Sequence, residues 1–274
     1  MNLNGASLRR VSVWLHRWVG LLMTIFLIVV GLTGSLLAFN IELERYFAPH
    51  LFAHQNSRDP PLDLATLAER AEKLVPQGRV VSVTYAEPDQ VSVWFEPRIN
   101  PATRVPFDIG FTEFFMDPWT GKELGRRVRG DLSQGLVNLM PFIYELHWRL
   151  ALGDFGQWIL GIVAIAWSID CFVSLFLTFP VRLKSFFRRW RPSWQIKVGA
   201  SRYRVYYDMH RASGLWLWPL LFIFAWSSVM MNMRGTYEPV MKTFFDYQSD
   251  AAAFEPSETP VLLPKLDWAT AKSV

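Results

Sequence analysis

The sequence predicts a membrane protein that is mainly α-helical and carries a small α+β module outside the bilayer. Of its 274 residues, 51% are hydrophobic, and 13 Trp and 21 Phe give more aromatic mass than a soluble domain of this length needs. Three stretches are long and apolar enough to cross a hydrocarbon core of roughly 30 Å at about 1.5 Å per residue. We therefore expect three visible transmembrane helices, and a fourth that is missing from the chain.

The first and last of these stretches carry no charged residue, and the middle one carries a single acid. Residues 19–41 and 212–233 are free of charge, and residues 155–179 contain only Asp170. We interpret 19–41 as a retained helix, because it is too long for the apolar part of a signal peptide and no small-residue cleavage site follows. The middle span is assigned to 147–180, which includes the residues that lead into it from outside.

Basic residues predict the orientation of the chain, because Lys and Arg accumulate in short cytoplasmic segments. Residues 1–18 contain three arginines and no acid, and residues 181–211 contain nine basic residues against one acid, Asp208. We therefore place both segments in the cytoplasm, and residues 42–146 and 234–274 outside. The net charge of +4 reflects this sidedness and gives no reason to invoke nucleic acid.

The outer segment 42–146 is long enough to fold, with a core at 60–129. Leucines and alanines at helical spacing predict a helix that ends near Pro76 and Gly78, and alternating apolar residues after it predict strands. The module is therefore one helix followed by three strands: 63–75, 79–85, 90–96 and 111–116.

An internal repeat relates the two halves of the chain. Residues 15–21 read LHRWVGL and residues 209–215 read MHRASGL, and residues 61–66 are echoed by residues 265–270. The second half therefore restarts the first. On this interpretation the sequence is truncated a few residues into a second outer module, before its closing span.

The repeat places His16 and His210 at equivalent ends of two spans, and each is followed four residues later by a glycine, Gly20 or Gly214. Positions i and i+4 share a helix face, so the glycine leaves a notch beside the imidazole in which a flat macrocycle could lie. Two neutral imidazoles from facing helices can hold a haem iron axially. A single such histidine is equally explained as an interfacial residue with a wet polar tip, but the duplication favours haem b.

Arg17 and Arg211 follow these histidines and are placed to meet haem propionates, although membrane topology alone also explains basic residues there. His147, at the opposite face of the membrane, would serve a second haem. That site is only half coded, because its partner would lie on the missing fourth span. An interfacial role for His147 remains the alternative.

A further pair of histidines has a less specific pattern. His50 and His54 have the i, i+4 spacing of a helical metal pair, with Asp59 downstream, but no third ligand pattern accompanies them, so we favour a solvated loop. No glycine-rich phosphate loop, Ser-His-Asp order or CxxC pair is present. Electron donation from NAD(P)H within this chain is therefore unsupported.

Asp170 draws notice because a carboxylate in lipid is costly and usually pairs, titrates or faces a polar cavity. We favour a structural role, in which Asp170 reaches the cytoplasmic interface or hydrogen-bonds Trp167 or Ser174, over a role in proton relay. Cys171, the only cysteine, is assigned to packing.

Several segments resemble a known family over essentially the whole chain. They are LHRWVGL at 15–21, GLTG at 31–34, FMDPWTG at 115–121, LHWRL at 146–150 and DMHR at 208–211. The sequence resembles the PepSY-associated transmembrane helix proteins of bacteria. The resemblance implies an inner-membrane protein with PepSY-like periplasmic modules, and in some members a haem-containing reductase of ferric siderophores. His16, His147 and His210 fall on positions that would bind haem in such members, while other members have no established activity.

Two functions therefore stay open. In the first, a haem b protein passes electrons from an unidentified cytoplasmic or quinone donor outward and reduces ferric iron in a siderophore. In the second, the chain is not an enzyme, and an edge of the outer sheet binds a protein or a peptidoglycan-linked partner.

Overall fold

The computed structural model describes residues 5–54, 60–247 and 268–271, which fall into two compact units. We call residues 5–32 and 147–247 the helical unit, and residues 33–146 and 268–271 the sheet unit. Each has a hydrophobic core of its own. In chain order the elements are α1 (Gly5–Leu37), α2 (Asn40–Phe47), α3 (Leu64–Leu74), β1 (Gly78–Glu87), β2 (Gln90–Pro97), β3 (Glu113–Met116), β4 (Glu123–Arg127), α4 (Leu139–Arg149), α5 (Gly153–Thr178), α6 (Phe186–Trp190), α7 (Arg202–Trp216), α8 (Trp218–Asn232), α9 (Arg234–Phe244) and α10 (Trp268–Ala271).

Two helices of the described chain are individually long and apolar enough to cross a membrane. Ser7–Leu37 has a mean hydropathy of 2.3, and Gly153–Thr178 has a mean hydropathy of 2.2. They correspond to the first and middle predicted spans. The described chain therefore has two such helices, and a third span only if α7 and α8 are counted together.

The third predicted span, 212–233, is not one helix. It divides between α7 and α8, which are bent by 65° around Leu217. Pro219 lies in the first turn of α8. Proline has no N–H for the preceding turn, and its ring collides with the carbonyl four residues back, so a helix that reaches it bends or restarts.

The middle span also differs from its prediction as a single segment starting at His147. His147 lies on α4, and α5 begins only at Gly153. Between them Leu150 and Ala151 have φ angles of 55° and 54°, in the left-handed region that interrupts a right-handed helix. The residues leading into the span are therefore a separate short helix.

Close packing joins α5 to α8 and the residue after it. A Cβ added at Gly161 would lie 2.3 Å from Cγ of Met233, so only glycine lets that side chain approach α5. Further along, Trp218 Nε1 donates to the carbonyl of Cys171 at 2.6 Å, and the Trp218 ring packs edge-on against Phe172. These contacts hold the two helices along much of their length.

The sheet unit contains an antiparallel four-stranded sheet in the order β1-β2-β3-β4, with α3 packed on it. The predicted helix and three strands are confirmed, and Asp63 caps α3 by accepting from the backbone N–H groups of Ala65 and Thr66. The prediction missed β4, which pairs with β3. Trp268 of α10 packs against the core formed by α3 and the sheet, whereas residues 265–267 of the predicted second module lie outside the described residues.

A buried ion-pair network stabilises the sheet unit around Glu113, which is 5% exposed. Its carboxylate accepts from Arg127 Nε at 2.6 Å and from Arg129 at 2.5 Å. Arg127 also pairs with Glu44 of α2 at 2.6 Å, and Arg129 approaches Glu145 of α4 at 3.7 Å. The network thus ties the β3–β4 pair to the helices at both ends of this unit.

Candidate functional site

His16 on α1 faces a buried carboxylate on α5. Its Nδ1 lies 2.9 Å from Oδ2 and 3.1 Å from Oδ1 of Asp170, which is 8% exposed. The partner of Asp170 is therefore His16 and not the predicted Ser174, which donates instead to the carbonyl of Cys171. The structural role of Asp170 stays a prediction. A carboxylate in an apolar spanning helix is costly, and the hydrogen bond to His16 offsets part of that cost.

A second contact fixes the register between α1 and α5. The Arg9 guanidinium donates to the carbonyls of Leu177 and Phe179 at 2.6 and 3.1 Å, at the end of α5 where helix carbonyls lack partners. The Arg9–Leu177 and His16–Asp170 contacts are seven positions apart on each helix, as expected for antiparallel neighbours. Arg9 therefore helps to hold His16 opposite Asp170.

His210 on α7 meets His16, as the repeat predicted. The two ring centroids are 6.0 Å apart and the rings are tilted by 40°. His16 is partly buried, whereas His210 is exposed on the described surface. The structure therefore brings together the two equivalent histidines and adds Asp170 to them.

The carboxylate determines which nitrogen of His16 carries the proton. An ionised carboxylate can only accept a hydrogen bond, so Nδ1 of His16 is the donor and Nε2 has the lone pair in the neutral ring. Histidines that bind metals are commonly oriented in this way, with one nitrogen hydrogen-bonded to a carboxylate and the other available as a ligand. The arrangement suits His16 for an axial ligand.

The spacing of the pair also suits a metal bound between two imidazoles. Two metal–nitrogen bonds of about 2 Å each, together with the two ring radii, make roughly 6 Å between centroids. A Cβ built on Gly20 or on Gly214 would meet nothing within 4 Å, so both predicted notches are open. In the described part of the chain, no group of three or more His, Cys, Asp or Glu could hold a metal ion. Haem needs only two protein ligands, because the porphyrin supplies four.

Arg17 and Arg211 do not both stand ready for propionates as the sequence suggested. Arg17 is exposed, with its guanidinium 5.8 Å from the Trp18 ring. Arg211 donates to Asp208 at 2.7 Å and to the carbonyl of Pro192 at 2.8 Å. In this structure Arg211 anchors the basic segment instead.

Sequence reasoning assigned no role to Asp208, although it is the one acid among nine bases. It is 1% exposed and accepts from Arg204 at 2.9 Å, from Arg211, and from the backbone N–H of Lys197 at 3.3 Å. Asp208 lies within α7, two residues before His210, and its bond from Lys197 ties this helix to the segment that precedes it. A lone acid in a basic segment was the available signal.

His147 lies away from the His16/His210 pair. Its Nδ1 is 3.1 Å from the carbonyl oxygen of Val30 on α1. A carbonyl can only accept, so Nδ1 donates and Nε2 has the lone pair, as in His16. Val30 and His16 are fourteen positions apart on α1, which corresponds to roughly 21 Å along the helix axis.

His50 and His54 do not form a helical metal pair. His50 lies in a short 3-10 turn, Pro49–Leu51, and His54 follows in irregular chain, so the two do not share a helix face. Both are exposed, in agreement with the favoured solvated loop, and Asp59 lies outside the described residues.

Comparison with known proteins identifies the family. A family model described as the PepSY-associated TM region matches residues 13–270, nearly the whole chain, including all three of the candidate haem histidines. No curated protein sequence matches the chain.

Proposed function

Because this chain belongs to the PepSY-associated transmembrane family, we propose that it is a haem b protein of the bacterial inner membrane that carries electrons outward. The acceptor in this proposal is ferric iron held by a siderophore in the periplasm. The observation that carries the proposal is the His16/His210 pair, with its 6.0 Å spacing and its two open glycine notches.

His16 and His210 are the proposed axial ligands, and Asp170 holds the ring of His16. Bound haem would supply an iron that changes between the ferric and ferrous states by one electron, and so would provide the redox chemistry of the site. Two helices that are far apart in sequence provide the ligands. Both the α1–α5 register and the Asp208 contacts therefore support the site.

The outward direction rests on the placement of charge and histidine. The basic segments near His16 and His210 support a cytoplasmic position for that pair under the positive-inside rule. His147, roughly 21 Å along α1, then marks the periplasmic side and is proposed as a ligand of a second station. A quinol or a cytoplasmic reductant supplies the electrons, and each ferric ion takes one to become ferrous.

The direct test is an absorbance spectrum of the full chain purified from membranes in detergent, before and after reduction with dithionite. We expect Soret and α bands of a six-coordinate haem b. His16→Ala and His210→Ala should each remove the absorbance of the haem at this pair, and His54→Ala, at an exposed histidine of the sheet unit, should leave it unchanged. Absence of these bands in the wild-type protein, or band intensities that are the same in both ligand variants as in the wild type, would refute haem binding at this pair.

Electron transfer needs its own measurement. Reduced protein mixed with a ferric hydroxamate should be reoxidised, with ferrous iron trapped by a chelator in equal amount. Protein that binds haem but is not reoxidised would retain the cofactor proposal and exclude the reductase.

A second candidate function is supported by the sheet unit. Strand β1 is an edge strand whose outer side pairs with no strand among the described residues, and it exposes Val81 and Tyr85. A groove of about 1330 Å³ adjoins its end, lined in part by Tyr85, Asp89 and Trp119. Trp119 Nε1 is buried and has no hydrogen-bond partner among the residues that the structure describes. Such an edge suits strand addition by an extended peptide.

Photo-crosslinking from position 85 of the full chain in cells, also exposed on β1, tests this second function. A specific adduct that is lost with Val81→Pro, in protein that contains no haem, would favour the binding module. Intact haem and no adduct would favour the reductase.

A further inference from the structure

The two proposed ligands are chemically unequal, although the repeat makes them equivalent in sequence. His16 contacts both oxygens of Asp170, at 2.9 and 3.1 Å. No hydrogen bond joins the His210 ring to any residue that the structure describes; its recorded neighbour is the His16 ring. The difference originates on α5, because Asp170 belongs to neither copy of the repeated motif.

We propose that Asp170 is the positioning residue of this site and makes His16 the stronger of the two axial donors. This inference rests on the proposed haem function. The buried carboxylate holds the Nδ1–H tautomer, so that Nε2 of His16 is the coordinating atom, and it pulls on that proton, which raises the electron density on the ring. Asp170 itself contacts neither iron nor substrate.

A stronger axial donor stabilises ferric over ferrous iron and lowers the midpoint potential of the site. Removing the negative charge while keeping the shape should therefore raise the potential. Outer-shell partners of metal-binding histidines typically change metal affinity by 10–100-fold, and a tenfold change in the ferric-to-ferrous preference corresponds to about 59 mV for one electron. A selective effect of this kind is not expected from a residue that only packs.

The test is a potentiometric titration of full-length Asp170→Asn, which keeps the volume of the side chain and an acceptor oxygen. We expect haem content near that of the wild type and a midpoint potential higher by about 59 mV, for a tenfold change. Ser168→Ala is the matched control, because Ser168 is buried on the same helix and donates to the Ala164 carbonyl. Its potential should equal that of the wild type.

The outcomes separate this inference from the function beneath it. Wild-type protein without haem refutes the proposed function. Wild-type protein with haem, but with equal potentials in Asp170→Asn and Ser168→Ala, overturns the role of Asp170 and leaves the haem site standing. If Asp170→Asn does not retain haem, Asp170→Glu decides. A carboxylate at 170 should restore binding and a low potential, and failure to do so would overturn the proposal.

Discussion

The two units bury carboxylates in opposite ways. In the sheet unit, Glu113 is held between two guanidinium groups, those of Arg127 and Arg129. In the helical unit, Asp170 pairs with the imidazole of His16, a side chain that, unlike a guanidinium group, also has a neutral form. Loss of Glu113 would remove one of the carboxylates that hold the buried Arg127 guanidinium, whereas loss of Asp170 would leave an imidazole, which has an uncharged form. Two equally buried carboxylates can therefore have different roles: Glu113 stabilises the fold, and Asp170 orients a proposed haem ligand.

The largest expected effect is on Glu113. Glu113→Leu should destabilise the sheet unit by about 3 kcal/mol, because Arg127 and Arg129 lose a buried partner. Hydrogen exchange of the full chain in detergent would show this as lost protection in β2 and β3. Glu123→Ala, which breaks a more exposed pair with Arg126, is the control and should cost less than about 1 kcal/mol. Equal protection in both variants would contradict the structural role of the network.

A smaller effect is expected at Asp170. In protein purified without haem, Asp170→Asn should change the free energy of unfolding by no more than about 1 kcal/mol, the net contribution of one hydrogen bond, because an imidazole needs no counter-charge in its neutral form. Thermal melts in detergent, with Ser168→Ala in parallel, would measure it. A loss as large as that of Glu113→Leu would erase the distinction between the two carboxylates.

The smallest effect concerns Asp89, a partly exposed carboxylate in the sheet unit. Its hydrogen bonds to Arg45, at 2.6 and 2.7 Å, hold the pKa of Asp89 below its usual range. The unfolded chain therefore binds a proton at higher pH than the folded chain. The stabilisation is present above about pH 4 and is lost as the pH falls through the lower folded pKa.

Melts between pH 5 and pH 2.5 should show this loss, of less than about 1 kcal/mol, in the wild type but not in Asp89→Asn. Arg45→Ala should abolish the same pH dependence. Parallel curves for the wild type and Asp89→Asn would show that the ion pair adds nothing to stability.

Much of the sheet unit could be predicted from sequence because its periodicities are local. Alternating apolar residues marked β1 and β2, and the Asp63 cap lay next to a helical pattern. Strand β4 was not predicted because its sequence, ELGRR, has no apolar alternation. Its arginines pack by cation–π contacts on the aromatic rings of the sheet, such as Arg126 over Phe114 at 5.2 Å, which no hydrophobic alternation reveals.

The site was only half predictable for a different reason. The repeat paired His16 with His210, but Asp170 and His16 are far apart in sequence, and nothing local to either names the other as its partner. The bend in the last apolar run was also missed. Pro219 is a helix breaker inside that run, but a charge-free run of that length suggests a single straight span.

Because of the bend at Leu217, membrane insertion and helix folding of the same segment depend on different properties of the sequence. Insertion machinery senses the summed apolarity of a stretch, and residues 212–233 present an uninterrupted one. Folding then acts on backbone geometry, where Pro219 sets a new helical start and turns α8 by 65° away from α7. A charge placed in this run would be expected to affect its partitioning into lipid. Replacement of Pro219 would instead change the angle between α8 and α7, the helix that carries His210, after the segment has inserted.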